Sequence, residues 1–180
     1  EVQVFNGTTW TNLIGGAAAE FQPSIGEAYQ GGLIAYILQP ADSGYDANVP
    51  HGIIIAPNDQ GTYEWGCIGS LINGANGIAI GTGIQNTIDI TSGCGQSNIA
   101  ARVCDDLQIN GYNDWFLPSK NELDKLYENR VLVGGFTNDY YWSSTEYDSN
   151  RAWAMHLGNG SLSNVGTKNF ATRVRAVRAF

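Results

Sequence analysis

The second half of the chain constrains the fold most, because short strand-like runs alternate there with tight turns. From Asn138 onward the runs are separated by Asp-Ser-Asn, Gly-Asn-Gly and Gly-Thr-Lys-Asn, which are typical turn sequences. The pattern predicts strands at residues 140–145, 152–157, 162–165 and 173–177. Runs this short and closely spaced favour a meandering antiparallel sheet.

Two helices are predicted before this sheet. The first, within residues 97–107, has an apolar stripe formed by Ala100, Val103, Cys104 and Leu107. The second covers residues 119–130, where Ser119 can cap the backbone and Glu122 can reach back to it. Residues 68–90 are rich in Gly, Ile, Asn and Thr and are predicted to be packed loop and turn. The predicted fold class is therefore α+β.

The beginning of the chain differs from the rest. An alternating pattern surrounds Asn6 and Gly7, and an Asn-Gly pair between such runs is a strong hairpin signal. A small-residue break at residues 15–24 then reads as a linker. We therefore predict two units, a hairpin and linker at residues 1–20 and a main domain at residues 21–180.

Charge is distributed unevenly along the sequence. Residues 1–101 contain eight Asp or Glu and no Lys or Arg, whereas residues 102–180 contain nine of each sign, which gives a net charge of −8. A general nucleic-acid binder needs a broadly basic surface, so we expect no nucleic-acid partner. The sequence also lacks a run of about 20 uncharged apolar residues, so no direct membrane insertion is expected.

The three cysteines allow at most one internal disulfide. Cys104 lies on the helical stripe and is predicted to be a buried thiol, which favours Cys67–Cys94. Cys94–Cys104 remains the alternative. The spacing lacks the CxxC pairs of a zinc site, so no structural metal is expected.

No catalytic constellation is recognisable in the sequence. His51 precedes a predicted strand and His156 lies within another, and neither is tied by spacing to a nucleophile or a carboxylate. The Gly-Thr-Gly at residues 81–83 lacks the Lys-Ser/Thr of a phosphate-binding loop. We therefore expect a protein that is not an enzyme and has no cofactor.

Four motifs together resemble a known family. They are WGCIGSLINGANGIAIGTGIQNTID, GYNDWFLPSKNELDKLY, GGFTNDYYWSSTEYDSNRAW and the final RVRAVRAF. In order and spacing they resemble the C-terminal domains of the Legionella collagen-like adhesin and its bacterial relatives. The resemblance implies a variant of the C-type-lectin-like fold on a bacterial, extracellular surface. It also implies a homotrimer that binds sulfated glycosaminoglycans or other anionic polysaccharides, and residues 1–20 resemble the segment that joins such heads to a stalk.

Calcium-dependent sugar binding does not fit the residues that would carry it. Lectins of this fold use Glu-Pro-Asn or Gln-Pro-Asp with Trp-Asn-Asp, and this chain has Gln39-Pro40-Ala41 and Asn113-Asp114-Trp115 instead. Asp148, Asn150 and Asn159 could still supply oxygen ligands to an adventitious ion.

The candidate ligand-binding residues are cations and their neighbours in the second half. They comprise the loop residues Arg151 and Lys168, the helix residues Lys120 and Lys125, the strand residue Arg173, and Asn150 and Tyr147 beside Arg151. The two helix lysines could instead form a solvated face with pairs such as Glu122–Lys125. The arginines of RVRAVRAF could instead pair with acids as part of the framework, and this terminal run is predicted to be one strand.

Residues 139–160 are predicted to contain both buried strand residues and an exposed turn. Tyr141, Trp142, Trp153 and Met155 are predicted to point inward from two strands, and residues 146–151 are predicted to form the displayed turn between them.

Two alternatives to glycan binding remain open. One is a variable head that binds a host surface protein through exposed positions of the C-terminal sheet, and the other is a structural cap on a trimeric stalk.

Overall fold

The computed structural model describes the backbone of residues 3–5, 10–12 and 21–180. Strand β1 (Gln3–Phe5) pairs antiparallel with β2 (Trp10–Asn12), so the predicted N-terminal hairpin pairing is present. The predicted turn at Asn6 and Gly7 lies outside the described residues. The boundary at residue 20 stays a prediction.

A four-stranded antiparallel sheet follows in the main domain. Its strands are β3 (Ala28–Tyr29), β4 (Gly32–Ile37), β5 (Gly52–Ile55) and β11 (Val177–Ala179), in the order β11-β5-β4-β3. Every residue of β5 is buried, as its continuous apolar sequence leads one to expect. Apolar side chains on both faces of β5 therefore anchor the core.

A second sheet contains the strands predicted from the C-terminal pattern. Its members are β6 (Gly61–Tyr63), β7 (Tyr140–Glu146), β8 (Arg151–His156), β9 (Leu162–Thr167) and β10 (Thr172–Val174). Their order is β6-β10-β7-β8-β9, and β7, β8 and β9 form the predicted antiparallel meander. The sheet is mixed, because β10 pairs parallel with β7.

The prediction of one terminal strand is wrong. The chain pairs as β10 in the second sheet, passes through Arg175 and Ala176, and pairs as β11 in the first sheet. Near this crossing, Arg175 and Arg178 are both buried. The Arg175 guanidinium donates to the carbonyls of Ala56 and Pro57, so the arginine fastens the crossing point.

Residues 21–180 contain four helices, where two were predicted. The predicted pair corresponds to α2 (Ala100–Asp105) and α3 (Lys120–Glu128), and α4 (Arg130–Val133) follows α3 directly. Helix α1 (Gly83–Gly93) lies largely in the segment predicted to be loop. No helix of the described ranges has both the length and the apolar character needed to cross a membrane.

The predicted cap of α3 is confirmed and extends to α1. The Ser119 side chain accepts from the Glu122 backbone, and the Glu122 carboxylate accepts from the Ser119 N–H at 2.6 Å. The same carboxylate accepts from the Gly81 N–H at 2.7 Å, just before α1 begins. Burial raises the pKa of Glu122, although these backbone donors oppose the shift.

The core includes the segment between α2 and α3 and the cysteines that follow β6 and α1. Trp115, Phe116 and Leu117 are buried, and Phe116 pairs with Val177 by an isolated bridge. The disulfide joins Cys67 to Cys94, which confirms the favoured pairing. Cys104 is a buried free thiol, as its helical stripe predicted.

Candidate functional site

Carboxylates neutralise most of the cations of this chain. Six of the nine Lys and Arg side chains form ion pairs within the described residues, namely Lys125, Arg151, Lys168, Arg173, Arg175 and Arg178. Arg102 donates instead to the Thr91 and Cys94 carbonyls at the end of α1. Lys120 and Arg130 therefore stand out, in the part of the chain that the structure covers, as cations free to meet an external anion.

The expectation that Lys168 is displayed in a loop is wrong. Its side chain is 0% exposed and its Nζ pairs with Glu146, which is itself 5% exposed. Lys168 also donates to the Ser70 carbonyl at 2.8 Å and lies 4.5 Å from the centre of the Trp65 ring. A buried ammonium with these partners is a structural group and cannot reach a polymer in solvent.

Lys168 and Glu146 together connect the loops at one end of the second sheet. Glu146 accepts from the Ile72 N–H at 2.9 Å, and the backbone N–H of Lys168 donates to the Asn150 carbonyl at 2.9 Å. The Gly69 N–H donates to the Ser149 carbonyl at 2.8 Å. The loops at residues 67–72, 147–150 and 168–170 are therefore held as one surface.

Two other predicted cations are paired at the surface. Arg173 donates to Asp139 at 3.1 Å and lies 3.5 Å from Asp59. Lys125 pairs with Glu128 at 2.9 Å, not with Glu122, which is occupied in capping. An anionic ligand would have to compete with these carboxylates, so neither residue is well placed as the main contact.

The remaining predicted residues meet around a tryptophan. The Lys120 Nζ lies 5.2 Å from the centre of the Trp153 ring, and the Tyr147 ring meets Trp153 edge-on with centroids 5.3 Å apart. The Arg151 guanidinium lies 4.6 Å from the centre of the Tyr147 ring. These four residues form a row of cation, indole, phenol and cation, which we call the Tyr147–Trp153 patch.

Strand and helix geometry bring the patch together. Trp153 is half-buried, so its prediction as an inward framework residue is wrong, whereas Tyr141, Trp142 and Met155 are buried as predicted. Lys120 begins α3, and its backbone N–H donates to Thr145 of β7 at 2.9 Å. The helix therefore starts beside the sheet, and the side chain of its first residue, Lys120, lies near the ring of Trp153.

Asp148 controls the electrostatics at the other end of the patch. Its carboxylate accepts from the Arg151 Nε at 2.8 Å and from Nη2, and also from the backbone N–H groups of Asn150 and Arg151. These bonds from Arg151 hold the pKa of Asp148 below its usual range and raise the pKa of Arg151. Asn150 and Tyr147 are exposed beside this pair, as predicted for a displayed turn.

Sequence reasoning missed the apolar component of the connected loops. Ile68, Leu71 and Phe170 are exposed by 46%, 71% and 66% respectively. Large apolar side chains at loop tips are unusual when they occur together, and such groups often mark contact surfaces. Their positions beside turn residues were visible in the sequence, but the hydrogen bonds that join their loops were not.

The histidines have ordinary structural contacts. The His51 Nδ1 lies 3.1 Å from the Phe180 carbonyl, and the His156 Nδ1 accepts from the Gly158 N–H at 3.2 Å. Within the described ranges there is no group of three or more His, Cys, Asp or Glu residues that could hold a metal ion.

Comparison with known proteins identifies related sequences and folds. The family model of the Lcl C-terminal domain matches residues 60–178. None of the curated proteins matches the sequence. A crystal structure of a fimbrial protein from Bacteroides ovatus superposes with a TM-score of 0.56 at 16% identity, covering 81% of this chain and 43% of that one. The chain thus spans less than half of that neighbour, and the likeness concerns the fold alone.

Proposed function

This chain belongs to the family of Lcl C-terminal domains, and from that premise we propose that it is the head of a bacterial surface adhesin. Its ligand under this proposal is a sulfated glycosaminoglycan or a similar anionic polysaccharide. Its function is binding without catalysis, and its location is extracellular. The Tyr147–Trp153 patch is the proposed contact surface, with Lys120 as the cation free of carboxylates and Arg151 as a second cation that the ligand would share with Asp148.

The arrangement of the patch is the observation that carries the proposal. Aromatic rings favour the apolar faces of sugars, and ammonium and guanidinium groups bind sulfate and carboxylate. The row alternates the two chemistries, with Lys120 at Trp153 and Arg151 at Tyr147. An anionic polysaccharide alternates charged groups and ring faces in the same manner. A simple row of surface lysines would offer only the charge.

Weak individual contacts fit a multivalent adhesin. Exposed ion pairs contribute roughly 0–1 kcal/mol each and are screened by salt. We propose that three copies act together as a homotrimer, because several weak sites on one polymer raise the apparent affinity through effective concentration. The proposed mechanism does not use calcium. Asp148, which could have been an oxygen ligand to such an ion, instead accepts hydrogen bonds from Arg151.

A heparin-binding assay over a salt series tests the proposal. We expect binding that weakens steeply with salt and is unchanged by a chelator. The double variant Lys120→Gln/Arg151→Gln should bind more weakly, by up to about thirtyfold, since it removes two contacts of up to about 1 kcal/mol each. Lys125→Gln is the matched control, because Lys125 lies on the same helix and is already paired with Glu128.

Three results would contradict this function. Binding that does not depend on salt would exclude an electrostatic contact, and binding lost with a chelator would require a metal. Equal losses of heparin affinity in the double variant and in the Lys125→Gln control would mean that the patch is not the binding site.

The exposed loop residues favour a second candidate, binding to a host surface protein. Ile68, Leu71 and Phe170 offer apolar area that a polysaccharide does not need. The two candidates separate in a cell-adhesion assay with soluble heparin as competitor. Adhesion through a protein would resist heparin and fall in Leu71→Ser/Phe170→Ser, whereas adhesion through glycans would show the reverse.

A further inference from the structure

A second cation free of carboxylates lies in a cleft of its own. Arg130 lines a cleft of about 230 Å³ together with Gly134, Gly135, Thr137, Asn138 and Gly158. This volume lies below the range of roughly 300–1,000 Å³ that is common for drug-sized ligands, so an occupant would be small. None of these residues belongs to the Tyr147–Trp153 patch.

Arg130 is held in place without being neutralised. Its guanidinium carbon lies 3.8 Å from the centre of the Tyr127 ring, and its Nη1 donates to the Tyr127 carbonyl at 2.8 Å. The edge formed by Nε and Nη2 has no hydrogen-bond partner among the described residues. An arginine that is already ordered loses less conformational entropy when it binds an anion.

The neighbouring acids are engaged elsewhere. Asp139 accepts from Arg173 at 3.1 Å and from the Tyr140 N–H at 2.8 Å. Glu128 pairs with Lys125 at 2.9 Å. The positive charge of Arg130 is therefore not cancelled by a direct partner, although the chain as a whole is acidic.

Glycines keep the cleft open and its floor rigid. Gly134 and Gly135 both have φ of 72°, a conformation that favours glycine. A Cβ added at Gly134 would meet no heavy atom within 4 Å, so this wall of the cleft is open, whereas a Cβ added at Gly135 would lie 3.1 Å from the Arg175 guanidinium. On the other side, a Cβ added at Gly160 would lie 2.6 Å from the Tyr127 ring. The close approach of Gly160 fixes the ring on which Arg130 is stacked.

We infer that this cleft binds the carboxylate of a small organic acid about the size of one sugar acid. The Nε–Nη2 edge of Arg130 donates two parallel hydrogen bonds to the two carboxylate oxygens, a geometry that planar guanidinium and planar carboxylate share. The bare backbone of Gly134 and Gly135 forms the wall beside the rest of the ligand. The site is independent of the proposed polysaccharide contact at the patch.

Amide chemical shifts of the whole chain, titrated with sodium glucuronate, test this site. Saturable shifts are expected at Gly134, Gly135 and Gly158, and glucose, which has a similar ring without the carboxylate, should cause none. Arg130→Gln should abolish the shifts, and Arg130→Lys, which keeps the charge but loses the fork, should weaken binding about tenfold. Arg151→Gln is the matched control and should bind glucuronate at the cleft as the parent protein does.

The outcomes separate this site from the polysaccharide site. Unchanged shifts in Arg130→Gln, equal shifts with glucose, or no shifts at these glycines would overturn the inference. Shifts confined to residues around Trp153 would overturn it as well and would instead support the patch. The dispersion of the variant spectra shows directly whether Arg130→Gln is folded, so a loss of binding cannot be confused with unfolding.

Discussion

Lys168 and Glu146 form an ion pair from which solvent is almost fully excluded, with side-chain exposures of 0% and 5%. The pair joins β7 to the loop after β9, and through Ser70 and Ile72 it also holds the loop before α1. A charge placed there cannot be a ligand contact. It is a tie between the loops that carry the exposed surface.

Removing one member of this pair should destabilise the protein strongly. Lys168→Met leaves the Glu146 carboxylate buried without its partner, and we expect a loss of about 3–5 kcal/mol in the free energy of unfolding. Urea denaturation measures this loss. Lys125→Met, which breaks the exposed pair with Glu128, should cost less than about 1 kcal/mol. Similar losses of unfolding free energy in the two variants would mean that the buried pair stabilises the protein no more than the exposed pair does.

Neutralising Asp148 should strengthen binding to an anionic polysaccharide. Asp148→Asn keeps an oxygen for the backbone N–H groups of Asn150 and Arg151 but releases the Arg151 guanidinium from its carboxylate. Because an exposed ion pair contributes at most about 1 kcal/mol, the gain should reach up to about fivefold. Calorimetric titration with heparin measures it. Weaker binding by Asp148→Asn would show that the ion pair orders Arg151 for the ligand.

The disulfide should contribute substantially to stability. It closes a sequence separation of 27 residues, for which the chain-entropy model gives roughly 3–4 kcal/mol. A reducing agent should lower the urea midpoint by a corresponding amount. Cys104→Ala should respond to the reductant in the same way, because Cys104 is a free thiol. A midpoint that is unaffected by reduction would mean that the cross-link adds nothing measurable.

Glu122 should give the protein a characteristic dependence on pH. Its folded-state pKa is raised above the ordinary value of 4.5, so between that value and the folded pKa the native state binds more protons than the unfolded state. The contribution of Glu122 is therefore greatest below its unfolded pKa and is lost as pH rises through the folded pKa. The stability difference between the parent and Glu122→Gln should grow as pH falls from 7 towards 4.5, as urea denaturation at several pH values would measure. A difference that shrinks with falling pH would reverse the sign and show that the ionised carboxylate is preferred.

Local signals predicted the elements that are stabilised locally. The capping residues Ser119 and Glu122 marked the start of α3, and the turn sequences marked β7, β8 and β9. Helix α1 was missed because its pattern is reversed, with Asn86 and Thr87 buried and Ile84 and Ile88 exposed. The Asn86 amide donates to the Gly77 carbonyl and to Ser144. A polar helix face whose partners lie in the preceding loop and in strand β7 cannot be recognised from periodicity.

The site was partly predictable for the same reason. Tyr147 and Asn150 lie in the short turn between β7 and β8, and Arg151 begins β8, so the spacing of turn residues was enough to expect their display. Ala152 and Ala154 pack into one core cluster and Met155 packs into the other, so both faces of β8 are covered near residue 155, whereas Trp153 is only half-buried. How far each strand face is covered depends on elements distant in sequence, and this is why the half-buried position of Trp153 was not foreseen.

The crossing of residues 172–179 between the two sheets sets an order on folding. Strand β10 inserts between β6 and β7, and β11 pairs Val177 with Ile55 across most of the chain length. During synthesis, β5, β6 and β7 leave the ribosome with these edges unpaired, and the edges close only when the last strands arrive. Contacts of such long sequence separation slow folding and leave strand edges available for aggregation in the meantime. A nascent chain of this domain is therefore expected to need protection until its final residues have been made.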